Sequence, residues 1–449
     1  FSYASELKLR KIVFCGCREA ASETGITFRE KYFEWIPAKT FYGNFDGQNH
    51  KVYNFKVTSA KNSRAGIFSV LGNGTDAASV KNLIVGSADG TTKDKVSRFV
   101  LCIDDNSQYQ YAAVIPYAHN NTVIENVVNF ADVELAEECT ARFRLGGVAG
   151  TCKTGALLKN CINYGDITDN QLAMVGTYSN NATVGGIIGA LDGTDSSIDG
   201  CVNFGKILNN SPYCLQCGGI VGGLTGDGRV TNCLNAGEVY VSSGSVGGLF
   251  GYSFSNSGQM VANNVNVGAI LTPKNFDGEK GGLAGSTEVE LTNCYWLYDP
   301  EVKLGIKDGI ALGDGAFCFA LTADQINGIQ PFPEPLYYNK EGIPSINSLD
   351  ALNNWAADNS GENKYWGWTF DSENQWLSFT GKPAKGGQGD VSTVFVITPA
   401  EVSVSYEETE FEVKVVAGMG HKISSMPDWI SVTNTDVTKA GDITTTVYT

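Results

Sequence analysis

Proline is scarce in this chain, with 12 residues, and histidine scarcer still, with three. Charged side chains make up only 18% of it, below the usual share of about a quarter. There is no basic stripe, no run of five like charges and no stretch of 18 apolar residues. Each shortage excludes something. Without a long apolar run, no transmembrane helix is expected. With a net charge of −16 and a pI near 4.7, bulk electrostatics opposes nucleic acid and anionic membrane as partners. The histidines, His50, His119 and His421, are far apart and form no HExxH, so a structural role is expected for His50. No GxSxG turn offers a serine nucleophile, and no glycine-rich loop ends in Lys-Ser or Lys-Thr to hold a phosphate. The opening residues, FSYASELKLRKIVFCGC, lack the apolar core of a secretory signal. Any such signal is expected to have been removed or to lie upstream.

What the chain has is glycine, 53 residues of 449. High glycine with low proline and low charge predicts tight turns between short strands. Apolar residues reach 42% and aromatics 11%, enough to bury a core. The length implies two or three domains. A GG-bearing unit recurs as LGGVAG from Leu145, VGGIIG from Val184, CGGIVG from Cys217, VGGLFG from Val246 and KGGLAG from Lys280, with degenerate copies from Arg64 and Tyr111. A second unit follows each: KNCINYGDI from Lys159, DGCVNFGKI from Asp199, TNCLNAGEV from Thr231, NNVNVGAI from Asn263, with variants from Lys81, Glu125 and Thr292. The first glycines of successive pairs lie 39, 33, 29 and 34 residues apart. Such a period means stacked coils with variable loops. Glycine pairs cost about 1 kcal/mol per glycine in a helix, and 3.6-residue periodicity is missing, so the units read as strands.

Stacking sets equivalent residues about 4.8 Å apart, and three columns follow. One holds Asn82, Asn126, Asn160, Asn232, Asn263 and Asn293, interrupted by Gly200. Another holds Asn129, Asn163, Asn203, Asn235 and Asn266. Between them run Leu83, Val127, Cys161, Cys201, Cys233, Asn264 and Cys294. Leu and Val in a column with Cys imply an inward apolar position and buried thiols. The amides are expected to hydrogen-bond along the axis.

At these residues the chain resembles the GLUG-motif repeat family, over roughly residues 60–300. The run WIPAKTFYGNFDGQNHKVYNFKV, from Trp35, is similar to the opening coil of such proteins, with Gln48 and Asn49 where the family has glycine. LTADQINGI and the tryptophan-rich segment from Ser345 resemble their closing segment. After KPAKGGQGD, alternating Val402, Val404, Tyr406 and Phe411, Val413, Val415, followed by MPDWISV, resemble a BACON domain, an immunoglobulin-like sandwich. The resemblance implies exported surface proteins of Bacteroidetes. It also implies a sandwich whose last strand lies beyond this chain or comes from a neighbour.

The remaining chemistry is thin. Cys214 and Cys217 form a CxxC and Cys15 and Cys17 a second close pair, but they lie too far apart for one zinc site. A disulfide between Cys102 and Cys139 is left open. Asp104-Asp105 resembles the paired aspartates of pectin hydrolases without their companion motifs. Trp355, Tyr365, Trp366, Trp368, Phe370 and Trp376 crowd one stretch. They form either a platform on which sugars stack or the seal of a solenoid end, the second reading being preferred. Alternation would put Trp366 and Trp368 on one strand face. Trp429 is expected in the sandwich core and Trp35 in the opening cap.

The expected fold is all-β: about seven coils of right-handed parallel β-helix, then an immunoglobulin-like sandwich. The expected divisions are 1–60 cap, 61–300 solenoid, 301–383 closing cap, 384–392 linker and 393–449 sandwich. Segments 88–110, 131–144, 168–183 and 206–216 are expected as outward loops. No catalytic residue, cofactor or metal is assigned. The expected function is a non-catalytic secreted or surface protein binding glycan, mucin or a surface protein. A β-helix lyase or hydrolase and a filament subunit are the rivals.

Overall fold

The protein is described by a computed structural model, for residues 6–8, 33–35, 37, 40–59, 64–102, 110–173, 182–253, 259–287, 289–302, 318–327, 348–360, 364–371, 376–384, 395–398, 413–417, 431–433, 435–440 and 443–448. It divides into two units, Phe1–Ala320 and Leu321–Thr449.

In the first unit each strand pairs, in parallel, with its equivalent one repeat away. Val184 lies beside Leu145 on one side and Cys217 on the other. Repetition builds four parallel sheets of fifteen, eight, seven and six strands, the register of an all-β parallel solenoid. The seven-stranded sheet carries the first half of every GG unit, from Arg64–Ala65 to Lys280–Gly281. The six-stranded sheet carries the second half, from Ile115–Ala118 to Ala284–Ser286. The fifteen-stranded sheet carries the asparagine units.

The eight-stranded sheet corrects the expectation of outward loops. Arg98–Leu101, Asp132–Leu135 and Ile207–Asn209 lie in three segments read as inserts, and Ile167–Asp169 runs into the fourth. They pair in parallel as a further face of each coil. Phe99, Leu101, Val133, Leu135, Ile167 and Ile207 are buried there. A strand of three or four residues shows one alternation at most, too short a signal beside the repeated GG.

The asparagine columns are as read, and local conformation explains them. Asn82, Asn126, Asn160, Asn232, Asn263 and Asn293 all take φ between 51° and 60°, the left-handed region that asparagine tolerates best after glycine. Each kinks its strand, and Gly200 takes the same turn at φ 66°. Gln48 and Asn49 also turn left-handed at 52° and 59°, at a register shift between Asp46 and His50. The column begins one step earlier than read: Asn82 Nδ2 donates to Asp46 Oδ1 at 2.9 Å.

The two columns donate in opposite directions. Asn126 donates back to Asn82 at 3.0 Å, Asn263 to Asn232 at 2.7 Å and Asn293 to Asn263 at 2.6 Å. In the second, Asn129 donates forward to Asn163, Asn163 to Asn203 and Asn203 to Asn235, each at 2.9 Å, and Asn235 to Asn266 at 2.7 Å. Each of these second-column amides also donates to the carbonyl two residues on, closing the N-x-G corner. Chains of this kind strengthen their members, and opposed directions cancel their dipoles. Trp296 takes the next place after Asn266. The second column therefore ends with Asn266 Nδ2 on the carbonyl of Gly282 at 3.0 Å.

Between the columns, Leu83, Val127, Cys161, Cys201, Cys233, Asn264 and Cys294 are fully buried, as expected. Asn264 keeps its place among thiols by bonding: it accepts from Cys233 N at 2.8 Å and donates to Val230 O at 2.8 Å. A buried amide without such partners would cost about 1–3 kcal/mol.

The second unit is not purely β. Thr322 caps the helix Ala323–Ile326 in a reciprocal box with Gln325, and a second helix spans Ser348–Asp358. Trp366–Asp371 pairs antiparallel with Trp376–Pro383. Phe395–Thr398, Val413–Ala417, Ile443–Tyr448 and Thr435–Ala440 form a four-stranded antiparallel sheet in that order.

Candidate functional site

The sequence-named ladder residues are structural. Asn160, Cys161, Asn163, Cys201, Asn203, Asn232, Cys233, Asn235 and Cys294 are all buried. Burial pushes the thiols of Cys161 and Cys201 well above the usual value, so neither is a nucleophile at neutral pH. Cys214 and Cys217 are likewise buried thiols raised by burial. No disulfide joins Cys102 and Cys139. Among the described residues, no group of three His, Cys, Asp or Glu is placed to hold a metal. Cys15, Cys17, Asp104, Asp105, His421 and Trp429 lie outside the described residues.

The tryptophan cluster of the second unit is split. Trp368 is 0% exposed and packs on Phe379 at 4.4 Å, so it has no face to offer a sugar. Asn353 clamps it, donating to Trp368 O at 3.0 Å and accepting from Trp368 N at 2.9 Å. A register shift between Trp366 and Trp368 breaks the alternation that would have put both on one face. Trp366 is half-buried, as are Trp355 and Tyr365, whose rings meet at 5.5 Å. Of Trp376 only the strand position is described.

Two side-chain groups that the sequence reading missed stand out on the solenoid. The first is a pile of rings. In each coil one residue follows the second-column asparagine at the corner. In three successive coils it is Phe130, Tyr164 and Phe204, stacked at 4.6 and 5.0 Å with planes 10° and 9° apart. Tyr164 is 38% exposed. In the next coil the place falls to Ala236, whose amide donates to Asn203 O as that of Phe204 does to Asn163 O. No ring therefore continues the pile over the far face of Phe204. The signal was present as NF, NY, NF and NA in the repeat, hidden behind the attention given to asparagine.

The second group lies between the two halves of the GG unit. The glycine corner folds them so that Arg144 Nη1 reaches Thr151 Oγ1 at 2.9 Å. Arg144 and Lys153 both bond Asp192, Lys153 at 2.9 Å, and Thr225 Oγ1 donates to its other oxygen at 2.7 Å. Burial raises the Asp192 carboxyl, but the two cations outweigh it and bring it down to about 2. Arg64 lies 4.8 Å from the ring centre of Tyr117 and 5.7 Å from that of Tyr111. His119 meets Tyr117 edge-on at 4.9 Å. Burial, then Arg64 and Lys153, hold its imidazole below the usual value, so it is neutral at pH 7. Burial pushes Tyr111 up to about 12. These residues come from five coils, and only stacking brings them together.

The chain matches no family model, no curated protein and no solved structure. Among the described residues, no helix is long and apolar enough to cross a membrane.

Proposed function

We propose that this chain is a non-catalytic, secreted or surface-attached scaffold that holds glycan, mucin or a surface protein against the corners of its coils. The observation that carries this reading is the pile Phe130, Tyr164, Phe204, which no ring continues at Ala236 and whose last ring, Phe204, is half-buried. A pyranose ring laid on Phe204 would continue the spacing, its C–H face against the aromatic face. The rigid base is the asparagine ladder directly behind, so the rings are held in place before any ligand arrives, which lowers the ordering cost of binding. The buried thiols and amides are spent on structure, which leaves recognition rather than catalysis as the work of the surface. The right-handed winding, the GLUG-type repeat, the export and the immunoglobulin-like character of residues 393–449 belong to the same proposal. The parallel register, the NxG corners and the antiparallel four-stranded sheet support it.

The test is a glycan-array and mucin-binding measurement on the full chain and on Phe204→Ala. Binding that drops in the variant is the expected result. No binding by the parent chain overturns the reading, and equal binding by the variant overturns the site.

A further inference from the structure

We propose that Arg64, with Tyr117 and Lys153, forms a second subsite that takes the carboxylate or sulfate of an anionic saccharide. It lies at the N-terminal end of the cleft between the seven- and six-stranded sheets. The saccharide part rests on the scaffold reading above; the anion part stands without it.

Charge is the first ground. In a chain of net charge −16, this group gathers three cations, Arg64, Arg144 and Lys153, around a single carboxylate, Asp192. Three minus one leaves a surplus of two positive charges. Arg144 and Lys153 share Asp192, whereas Arg64 has no carboxylate partner among the described residues.

Geometry is the second ground. Cation–π contact with two tyrosines holds the guanidinium in place. Its in-plane N–H donors stay available, in the fork that matches a carboxylate or sulfate with two parallel bonds. Lys153 Nζ lies 5.9 Å from the same Tyr117 ring, so it adds long-range attraction without leaving Asp192. Tyr117 and His119 are half-buried and offer ring surface beside the anion site. His119, neutral, does not compete for the anion.

The third ground is the graded filling of the cleft. Along the seven-stranded sheet the inward-cleft position reads Arg64, Tyr111, Arg144, Thr183, Gln216 and Ser245. Facing them on the other sheet are Tyr117, Thr151, Ala190, Gly223 and Tyr252. Arg144 is closed against Thr151, and Gln216 against Gly223. In this row Arg64 and Tyr111 meet rings, whereas Arg144 is taken up by Thr151 and Asp192.

The experiment is calorimetric titration of the full chain with trigalacturonate, a sulfated galactose disaccharide and neutral galactotriose. Expected is binding of one or both acidic sugars, weakened by salt. Arg64→Gln should weaken it about 10- to 100-fold, the loss of a charge-assisted bond pair, and Arg64→Lys by less. Circular dichroism of both variants checks that the coils are intact. Which acidic sugar binds identifies the anion. Binding neither acidic sugar, binding galactotriose equally well, or unchanged binding by a folded Arg64→Gln each overturns the subsite. Failure of Phe204→Ala to affect neutral glycans would count against the ring pile alone.

Discussion

A Cβ added to Gly219 would lie 2.3 Å from Cγ of Asn235 and 2.2 Å from the carbonyl oxygen of Gly248. The second glycine of the GG unit is therefore small because the asparagine of the other unit fills the space against it. Gly186 stands in the same relation to Asn203, at 2.4 Å. The two motifs are one device seen from its two ends.

Gly219→Ala should therefore displace an amide that accepts from Asn203 at 2.9 Å and donates to Asn266 at 2.7 Å. We expect a loss of about 2–4 kcal/mol, as for overpacking combined with broken buried bonds. Thermal unfolding measures it. In combination with Asn235→Gly, which removes the side-chain part of the clash and leaves the Gly248 carbonyl, the loss should be below the sum of the two single losses. Strict additivity would refute the contact.

Asp169 gives a prediction of opposite kind. It faces the core in the column Leu135, Asp169, Asn209, Val241, and burial raises its carboxyl to about 7 against bonds from Gln171 and Ser211. The folded chain thus holds a proton that the unfolded chain, with an ordinary value of 3.8, has released. Stability from this group is complete below pH 3.8 and falls as pH rises towards 7, by up to about 1.4 kcal/mol per unit. Asn209 Nδ2 donates to its Oδ2 at 3.1 Å, while Asn209 Oδ1 has no partner. The amide brought by Asp169→Asn would pair with a rotated Asn209 as in the ladders. Melting temperature followed from pH 4 to 8 should decline for the parent and flatten for the variant, which should be the more stable at pH 8. A parallel decline in both would refute the assignment.

How much of this could be read in the sequence divides along physical lines. Columns built from one residue type at one repeat position, such as Asn163, Asn203 and Asn235, were legible because stacking copies a local choice upward. The eight-stranded sheet was not legible, because Val133-Glu134-Leu135 and Ile167-Thr168-Asp169 are too short to display a period. The helix Ser348–Asp358 was not legible for a related reason: its own apolar face, Leu349, Leu352 and Ala356, is brief. The group of Arg64, Tyr117 and Lys153 was invisible because it joins unlike residues from three coils. The ladder rule cannot find such a group, since it looks for sameness.

Thiol reactivity follows from burial. Of the ten described cysteines, Cys102 is half-exposed and the other nine are buried. With Cys15→Ser and Cys17→Ser in place, a maleimide at pH 7.5 should label Cys102 within minutes and the others only on unfolding. Mass spectrometry of the labelled peptides decides it. Fast labelling of Cys161, Cys201 or Cys233 in the folded chain would be incompatible with the ladder core.

Asp192 is the counterweight to Asp169. Its carboxyl sits at about 2 in the folded chain against an ordinary 3.8, so its contribution is present above pH 3.8 and is lost as pH falls through 2. Its two oxygens are used by Arg144, by Lys153 at 2.9 Å and by Thr225 at 2.7 Å. Asp192→Asn would leave the buried Arg144 without its counter-charge, and breaking one half of a buried pair costs about 3–5 kcal/mol. The variant should melt lower at pH 7 and show a flatter acid limb below pH 4, whereas Asp169→Asn should alter only the limb above pH 4. Adding Arg144→Met to Asp192→Asn should restore much of the loss, because the buried cation is then removed with its counter-charge, while Lys153 is partly exposed to solvent. If the double variant melts no higher than Asp192→Asn alone, the cost lies in packing and the ion pair is not its source.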